Sequence, residues 1–217
     1  MPRAPSYLRN AAIPEKALQA FEKGVTLLTV HSDYRGAIAQ FERATKAFPG
    51  YYEAFAQIGV AYDKLGEAAP AEQAFRKSIE ISSGKYAESL FLFAEMLNDL
   101  GRFTDAERIA RQGAVVEADS PRGYYEPSRA LAGLKRDTEA EASAVKARAL
   151  KPNSPPVHLL LANLHKRLRN YPALLQDLDA YLELAPSGPA SDQARTLRDR
   201  VQKALEAERK QSAPPQR

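Results

Sequence analysis

The sequence predicts an all-α protein, a stack of five helix–turn–helix pairs closed by one further helix. Three observations carry this reading of the 217 residues. First, one pattern of small and apolar residues recurs: Ala37, Phe41, Ala44; Ala71, Phe75, Ser78; Ala106, Ala110, Gly113; Ala140, Ala144, Ala147; and Leu174, Leu178, Tyr181. Successive first members lie 34, 35, 34 and 34 residues apart. Second, another apolar set precedes these, Phe55, Ile58, Gly59, Tyr62 and Leu65 in the second copy and Leu90, Phe93, Ala94, Leu97 and Leu100 in the third. Spacings of three and four residues place each set on one face of a helix. Third, no stretch alternates apolar and polar residues as a half-buried strand would. A fixed period of this length marks repeats that cannot bury their apolar faces alone and stack to do so.

Taken in order, residues 1–13 read as an extension or linker, with Pro2, Pro5, Ser6, Arg9 and Asn10. Such an opening suggests a chain cut from a longer protein or one that follows a partner element. The repeats are expected at about 14–50, 51–83, 84–119, 120–153 and 154–187. Pro14, Pro121, Pro155 and Pro189 mark helix starts, because the first helical turn needs no amide hydrogen there. Gly59 is expected to face Ala71, and Ala94 to face Ala106, where the two helices of a pair cross closely. Phe41, Phe75 and Tyr62 then fill the space between pairs. The copies differ in detail. The first has an extra turn residue around His31 to Tyr34, and Lys23 where an apolar residue is usual. Pro127 in the fourth should kink its helix or delay its start. Leu174 and Tyr181 in the fifth occupy small-residue positions, which suggests a splayed pair. Residues 188–210 form a capping helix with Ala194, Leu197, Val201, Ala204 and Leu205 on one face, and 211–217 a disordered tail.

The second copy resembles the tetratricopeptide repeat (TPR), with Phe55-x2-Ile58-Gly59-x2-Tyr62 followed by Gly66, Ala71, Phe75 and Ser78. Pro49, Pro152 and Pro186 fill the closing position of copies one, four and five. The resemblance implies a right-handed α-α superhelix, a TPR solenoid, acting as a non-enzymatic scaffold or adaptor. Its concave groove would hold a peptide or helical segment of a protein partner. By family likeness, groove positions fall at Glu53, Ala56, Val60, Asp63, Glu88, Phe91, Glu95 and Asn98 in copies two and three. In copies four and five they fall at Arg122, Tyr125, Arg129, Ala132, Leu159, Asn163 and Lys166. The groove should be acidic in its middle and basic toward its C-terminal side. Glu88, Phe91 and Glu95 form one trio on a helix face, and Arg122, Tyr125 and Arg129 another of opposite sign. A doubly charged segment could lie across both, or the trios could satisfy each other. In copy one, Leu18, Phe21, Val25 and Leu28 form an apolar patch, open or covered by Tyr7, Leu8 and Ile13. Phe21, Val25 and Val60 stand where chaperone-tail clamps carry polar residues, which excludes that ligand class. The block is also similar to TPR segments behind a β-rich regulatory domain in exported bacterial proteins, so an accessory repeat domain is an alternative.

The chain has no Cys, so disulfides, thiolate metal sites and cysteine nucleophiles are excluded. His158 and His165 share a helix face at apolar signature positions, with no carboxylate between them in sequence, and read as semi-buried structural residues. Paired carboxylates such as Glu139 and Glu141 are two apart and do not face each other on a helix. No phosphate-binding or dinucleotide glycine motif occurs, so neither catalytic residues nor a cofactor or metal is assigned. One of Tyr51 and Tyr52, like one of Tyr124 and Tyr125, should pack in the core, and the other either reaches the groove or, by default, packs in the core or at its edge. Residues 1–117 carry 14 basic and 15 acidic residues, and residues 118–217 carry 17 and 12. That mild C-terminal excess is a bias toward acidic partners, not a nucleic-acid footprint. A nucleic-acid-binding helical repeat remains the alternative of a different class, opposed by the acids of copies two and three. No membrane span or signal peptide is visible; a soluble chain is expected, cytoplasmic or, if cut from a longer exported protein, periplasmic or extracellular, and the compartment is left open. The partner and the oligomeric state are left open.

Overall fold

The computed structural model describes residues 13–212, with side chains to residue 207. The linker, Tyr7 and Leu8 at its start and all but the first two residues of the tail assigned to 211–217 lie outside the described residues. Among the described residues there are eleven helices and no strand. The chain divides into two compact units, residues 1–99 and 100–217, the boundary falling just after the fifth helix.

Unit 1 holds α1 (Glu15–Thr29), α2 (Tyr34–Ala47), α3 (Tyr52–Lys64), α4 (Ala68–Ile81) and α5 (Ala87–Asp99). Each packs on the next, and α3 also packs on α5. Helix α2 starts where the Asp33 carboxylate accepts from the Gly36 amide at 2.9 Å, satisfying an amide that no helical carbonyl can reach. The core gathers Leu28, Ile38, Phe41, Tyr51 and Ile58. Helices cross closely over two glycines: a Cβ at Gly24 would lie 2.6 Å from the Phe41 ring, and one at Gly59 2.7 Å from the Phe75 ring. The atoms nearest a Cβ at Gly59 belong to the Phe75 ring, and Ala71 on the same helix is fully buried. Phe75 continues to the next repeat, stacking on Phe93 at 5.8 Å. The buried Ser78 hydroxyl donates to the Tyr52 carbonyl at 2.8 Å, which satisfies it inside the core.

Unit 2 holds α6 (Phe103–Val116), α7 (Arg122–Gly133), α8 (Asp137–Leu150), α9 (Pro155–Arg167), α10 (Tyr171–Leu184) and α11 (Ser191–Ser212). Pro127 neither delays nor ends α7, which starts five residues earlier and runs on past it. The proline removes only the amide that would have bonded to the Gly123 carbonyl. Helix α8 buries Ala140, Ala144 and Ala147 against Leu131, Leu161 and Leu164. The fifth pair is not splayed: α9 packs on α10 as extensively as α7 does on α8. Ala162, 1% exposed, supplies the small residue from the other helix, so Leu174 and Tyr181 fit. Helix α11 packs Ala194, Leu197, Val201 and Leu205 against this pair, while Ala204 is exposed. Its start is tied down by Ser191, whose hydroxyl donates to the Ala185 carbonyl at 2.6 Å, and by Tyr181, whose hydroxyl oxygen accepts from the Ala190 amide at 3.2 Å. Gln211 and Ser212 belong to α11 rather than to a tail.

The turn inside every pair contains one residue in the left-handed region: Ser32, Gly66, Gly101, Lys135 and Arg169, with φ of 53°, 74°, 72°, 62° and 59°. Glycine takes this conformation without strain at Gly66, while Lys135 and Arg169 take it against their Cβ atoms. The shared turn geometry is what keeps the copies in phase despite their different turn residues.

Candidate functional site

In unit 1 the first helices α3 and α5 lie side by side. Of the residues expected on their open face, Asp63, Glu88 and Glu95 are partly exposed. Partial burial raises the Asp63 carboxyl above its usual value; Lys64 opposes the rise, and the carboxylates of Asp99 and Glu95 add to it. Asp63, Glu95 and Asp99 thus share one electrostatic neighbourhood. Several expectations change, Ala56 at 0% exposure among them. Phe91 is 1% exposed and belongs to the core. Helix α5 buries residues around much of its circumference, so the ring has no open side. Glu53 is 9% exposed, and burial raises its carboxyl. Asn98 is buried as well. Tyr51 and Tyr52 are both buried rather than divided between core and surface. Burial and the nearby Glu53 and Glu22 carboxylates push the Tyr51 hydroxyl up from its ordinary value. In the first repeat, Leu28 is buried, and Leu18, Phe21 and Val25 pack on the same core as Ile13. The Phe21 ring lies 4.9 Å from that of Tyr51 and 5.5 Å from that of Phe41, so the second repeat already covers much of this patch.

In unit 2, Arg122, Tyr125 and Arg129 are partly exposed on α7, and Tyr124 is too. The Arg129 guanidinium lies 5.9 Å from the centre of the Tyr125 ring, and it pairs at 3.3 Å with Glu126, whose side chain is buried. Asn163 and Lys166 are exposed on α9 and line a cleft of about 500 Å³ between α9, α10 and α11. Leu159, Leu178 and Leu197 supply its apolar walls, and Arg200 stands on its α11 side. Apolar walls with a few convergent polar groups can hold an apolar side chain while orienting its polar neighbours.

A buried polar network, missed in the sequence, ties α8, α9 and α10 together. Asp177 on α10 is 1% exposed. It accepts from Arg148 at 3.0 Å and lies 3.2 Å from His158 Nδ1 and 2.8 Å from His165 Nδ1. The opposite ring nitrogens face the Pro152 carbonyl at 2.7 Å and the Glu141 carboxylate at 3.0 Å. Each imidazole is thus bracketed by oxygen atoms on both sides, although His165 Nδ1 and the Asp177 Oδ2 beside it are not aligned as a hydrogen bond. The carboxylate absent between the two histidines in sequence is supplied by a different helix. The legible signal was Asp177 itself, an acid standing where the second repeat has Ala74. Among the described residues no group of three or more His, Asp or Glu is arranged to hold a metal ion.

The profile of the tetratricopeptide repeat family matches residues 52–84, the α3–α4 pair. No curated protein sequence is significantly similar to the chain. Solved structures are. PilF of Pseudomonas aeruginosa superposes with a TM-score of 0.78 at 21% identity, over 88% of this chain and 85% of its own. TTC0263, a thermophilic TPR protein of Thermus thermophilus, gives 0.67 at 24% identity, over 87% and 98%. MamA of Desulfovibrio magneticus RS-1 gives 0.68 at 17% identity, over 82% and 99%. The chain has the fold of a tetratricopeptide-repeat protein, and its second repeat is a tetratricopeptide repeat by sequence as well. Among the described residues no helix is long and apolar enough to cross a membrane.

Proposed function

We propose that the chain is a non-enzymatic adaptor that holds a peptide or helical segment of a protein partner on surfaces built by first helices within its units. The cleft beside Asn163 and Lys166 carries this reading, because it sets exposed polar groups over apolar walls on a first helix. In unit 1 the partly exposed Asp63, Glu88 and Glu95 give the same kind of face an acidic character that suits basic side chains of a partner. In unit 2 Arg122, Arg129 and Lys166 suit acidic ones. Such charges set orientation and association rate, while apolar contacts in the cleft supply most of the affinity.

A photo-crosslinking residue at position 163 of the full chain, compared with one at exposed position 77 on α4, tests the reading in cells. A discrete protein adduct from position 163 that is missing from position 77, and that Lys166→Glu depletes, is the expected result. Equal adducts from both positions, or adducts indifferent to Lys166→Glu, would refute it.

A further inference from the structure

A second surface, on a different side of α1 from Phe21 and Leu28, has a chemistry of its own. Helices α1 and α2 enclose an open groove of about 770 Å³. Four of its lining residues are cations, Lys16 and Lys23 from α1 and Arg43 and Lys46 from α2. No acidic residue and no aromatic ring lines it. Glu22 and Glu42 lie on the same helices but not along the groove, and Glu15 accepts a hydrogen bond from Gln19 at 2.8 Å. Among the described residues none of the four cations makes an ion pair. Their clustering is not a by-product of overall charge, since residues 1–117 carry one more acid than base.

The geometry orders these charges. The helices run antiparallel, with Gly24 under the Phe41 ring, so the start of α1 lies beside the end of α2. Lys16 and Lys46 therefore stand toward one end of the groove and Lys23 and Gln40 toward the other, with Arg43 between them. Lys16 and Lys23 are separated by seven residues, about 10.5 Å along a helix axis. Acidic groups two turns apart on one face of a helix match that separation. Residues 1–12 carry Arg3 and Arg9 and no acid, so the chain's own start lacks the complementary charge. Single-stranded nucleic acid would want stacking platforms, and the groove has none.

We propose that the α1–α2 groove docks an acidic segment of a protein partner, gripped by Lys16 and Lys46 at one end, by Lys23 toward the other and by Arg43 between them. This surface goes beyond the first-helix face and does not depend on it. Binding of a labelled oligoglutamate peptide to the full chain, followed by fluorescence anisotropy at low and raised ionic strength, tests it. Each exposed ion pair is worth at most about fivefold in affinity, so K23E/R43E, which replaces attraction by repulsion twice, should weaken binding about tenfold or more. K16E/K46E should do the same, Lys77→Glu on the exposed side of α4 should leave the affinity within about twofold, and salt should weaken the parent most. Circular dichroism and melting of each variant separate lost binding from lost fold, and Lys23→Gln with Arg43→Gln gives a milder pair that keeps the helices. Binding unchanged by both double reversals in folded protein overturns the proposal. So does tighter binding of oligo-dT or of phosphatidylserine vesicles than of the peptide, or self-association that the same reversals abolish, which would seat a second copy in the groove.

Discussion

Replacing Asp177 by alanine should destabilise unit 2 sharply, although the second repeat carries Ala74 at the equivalent position without difficulty. The carboxylate is 1% exposed and is the common partner of Arg148, His158 and His165. Arg148, with a side chain 37% exposed, can turn to water, so its loss counts for little. The two imidazoles are buried and cannot. Each buried polar group left without its partner costs about 1–3 kcal/mol, partly offset because the carboxylate no longer has to be desolvated. The net expectation is about 3 kcal/mol, or a fall in Tm of about 6–12 °C for a chain of this size. The companion variant H158F/H165Y/D177A installs the second repeat's own residues at all three positions, Phe55, Tyr62 and Ala74. Apolar replacement of a whole buried polar set is commonly neutral or stabilising, so this triple variant should recover most of the loss. Urea and thermal unfolding followed by circular dichroism at neutral pH measure both. The reasoning fails if D177A stays within about 0.5 kcal/mol of the parent. It also fails if the triple variant is no more stable than D177A.

Phe75→Ala should cost about 3–5 kcal/mol, because the ring fills the space over Gly59 and reaches Phe93. Lys77→Ala, which removes only an exposed pairing with Glu80 at 3.0 Å, should stay within about 0.5 kcal/mol, and equal melting temperatures would contradict the packing described. Glu53→Gln should raise Tm at neutral pH. Burial raises the folded-state value of that carboxyl, so its contribution is fully present below the ordinary carboxylate range and is lost as pH rises through the folded value. The gain should therefore shrink as pH is lowered toward the carboxylate range, and a gain independent of pH would refute the assignment.

The helix-pair phase was legible because turn and crossing residues obey one period, and Ala37, Ala71, Ala106 and Ala140 are all 0% exposed as that period requires. The candidate face was less legible, for a reason visible in α5. Its run Ser89, Leu90, Phe91, Phe93, Ala94, Met96 and Leu97 is buried on more than one stripe. A helix apolar over so much of its surface is enclosed rather than one-sided, so averaged groove positions mislead at Phe91. Glu53 shows the same failure in polar form: its family-like position suggested the open face, and the packing of unit 1 leaves it 9% exposed. Asn163 and Lys166 fall on the exposed side because α9 buries Val157, Leu161 and Leu164 on the opposite side. Asp177 stayed hidden because its partners come from two other helices, and sequence spacing within one helix cannot announce them.

The two units are held by different materials, which explains why a buried ionic network is tolerated in one of them. In unit 1 the second helices insert Phe41 and Phe75, rings that each bury about 150–250 Å² of mostly apolar surface. In unit 2 helix α8 offers Ala140, Ala144 and Ala147 at the matching positions. Methyl groups let helices approach closely but bury little area, so at about 25 cal/mol per Å² the hydrophobic gain per helix is smaller. Ser128 and Ser143 already help there, donating to the carbonyls of Ala140 at 2.7 Å and Tyr124 at 2.9 Å. The Asp177 network continues the same device toward α10, replacing missing apolar area with directional contacts across three helices. Directional contacts stabilise only while every member keeps its partner. Unit 2 should therefore lose stability abruptly when one polar side chain is removed, while unit 1 should respond to lost volume in proportion to the cavity left behind.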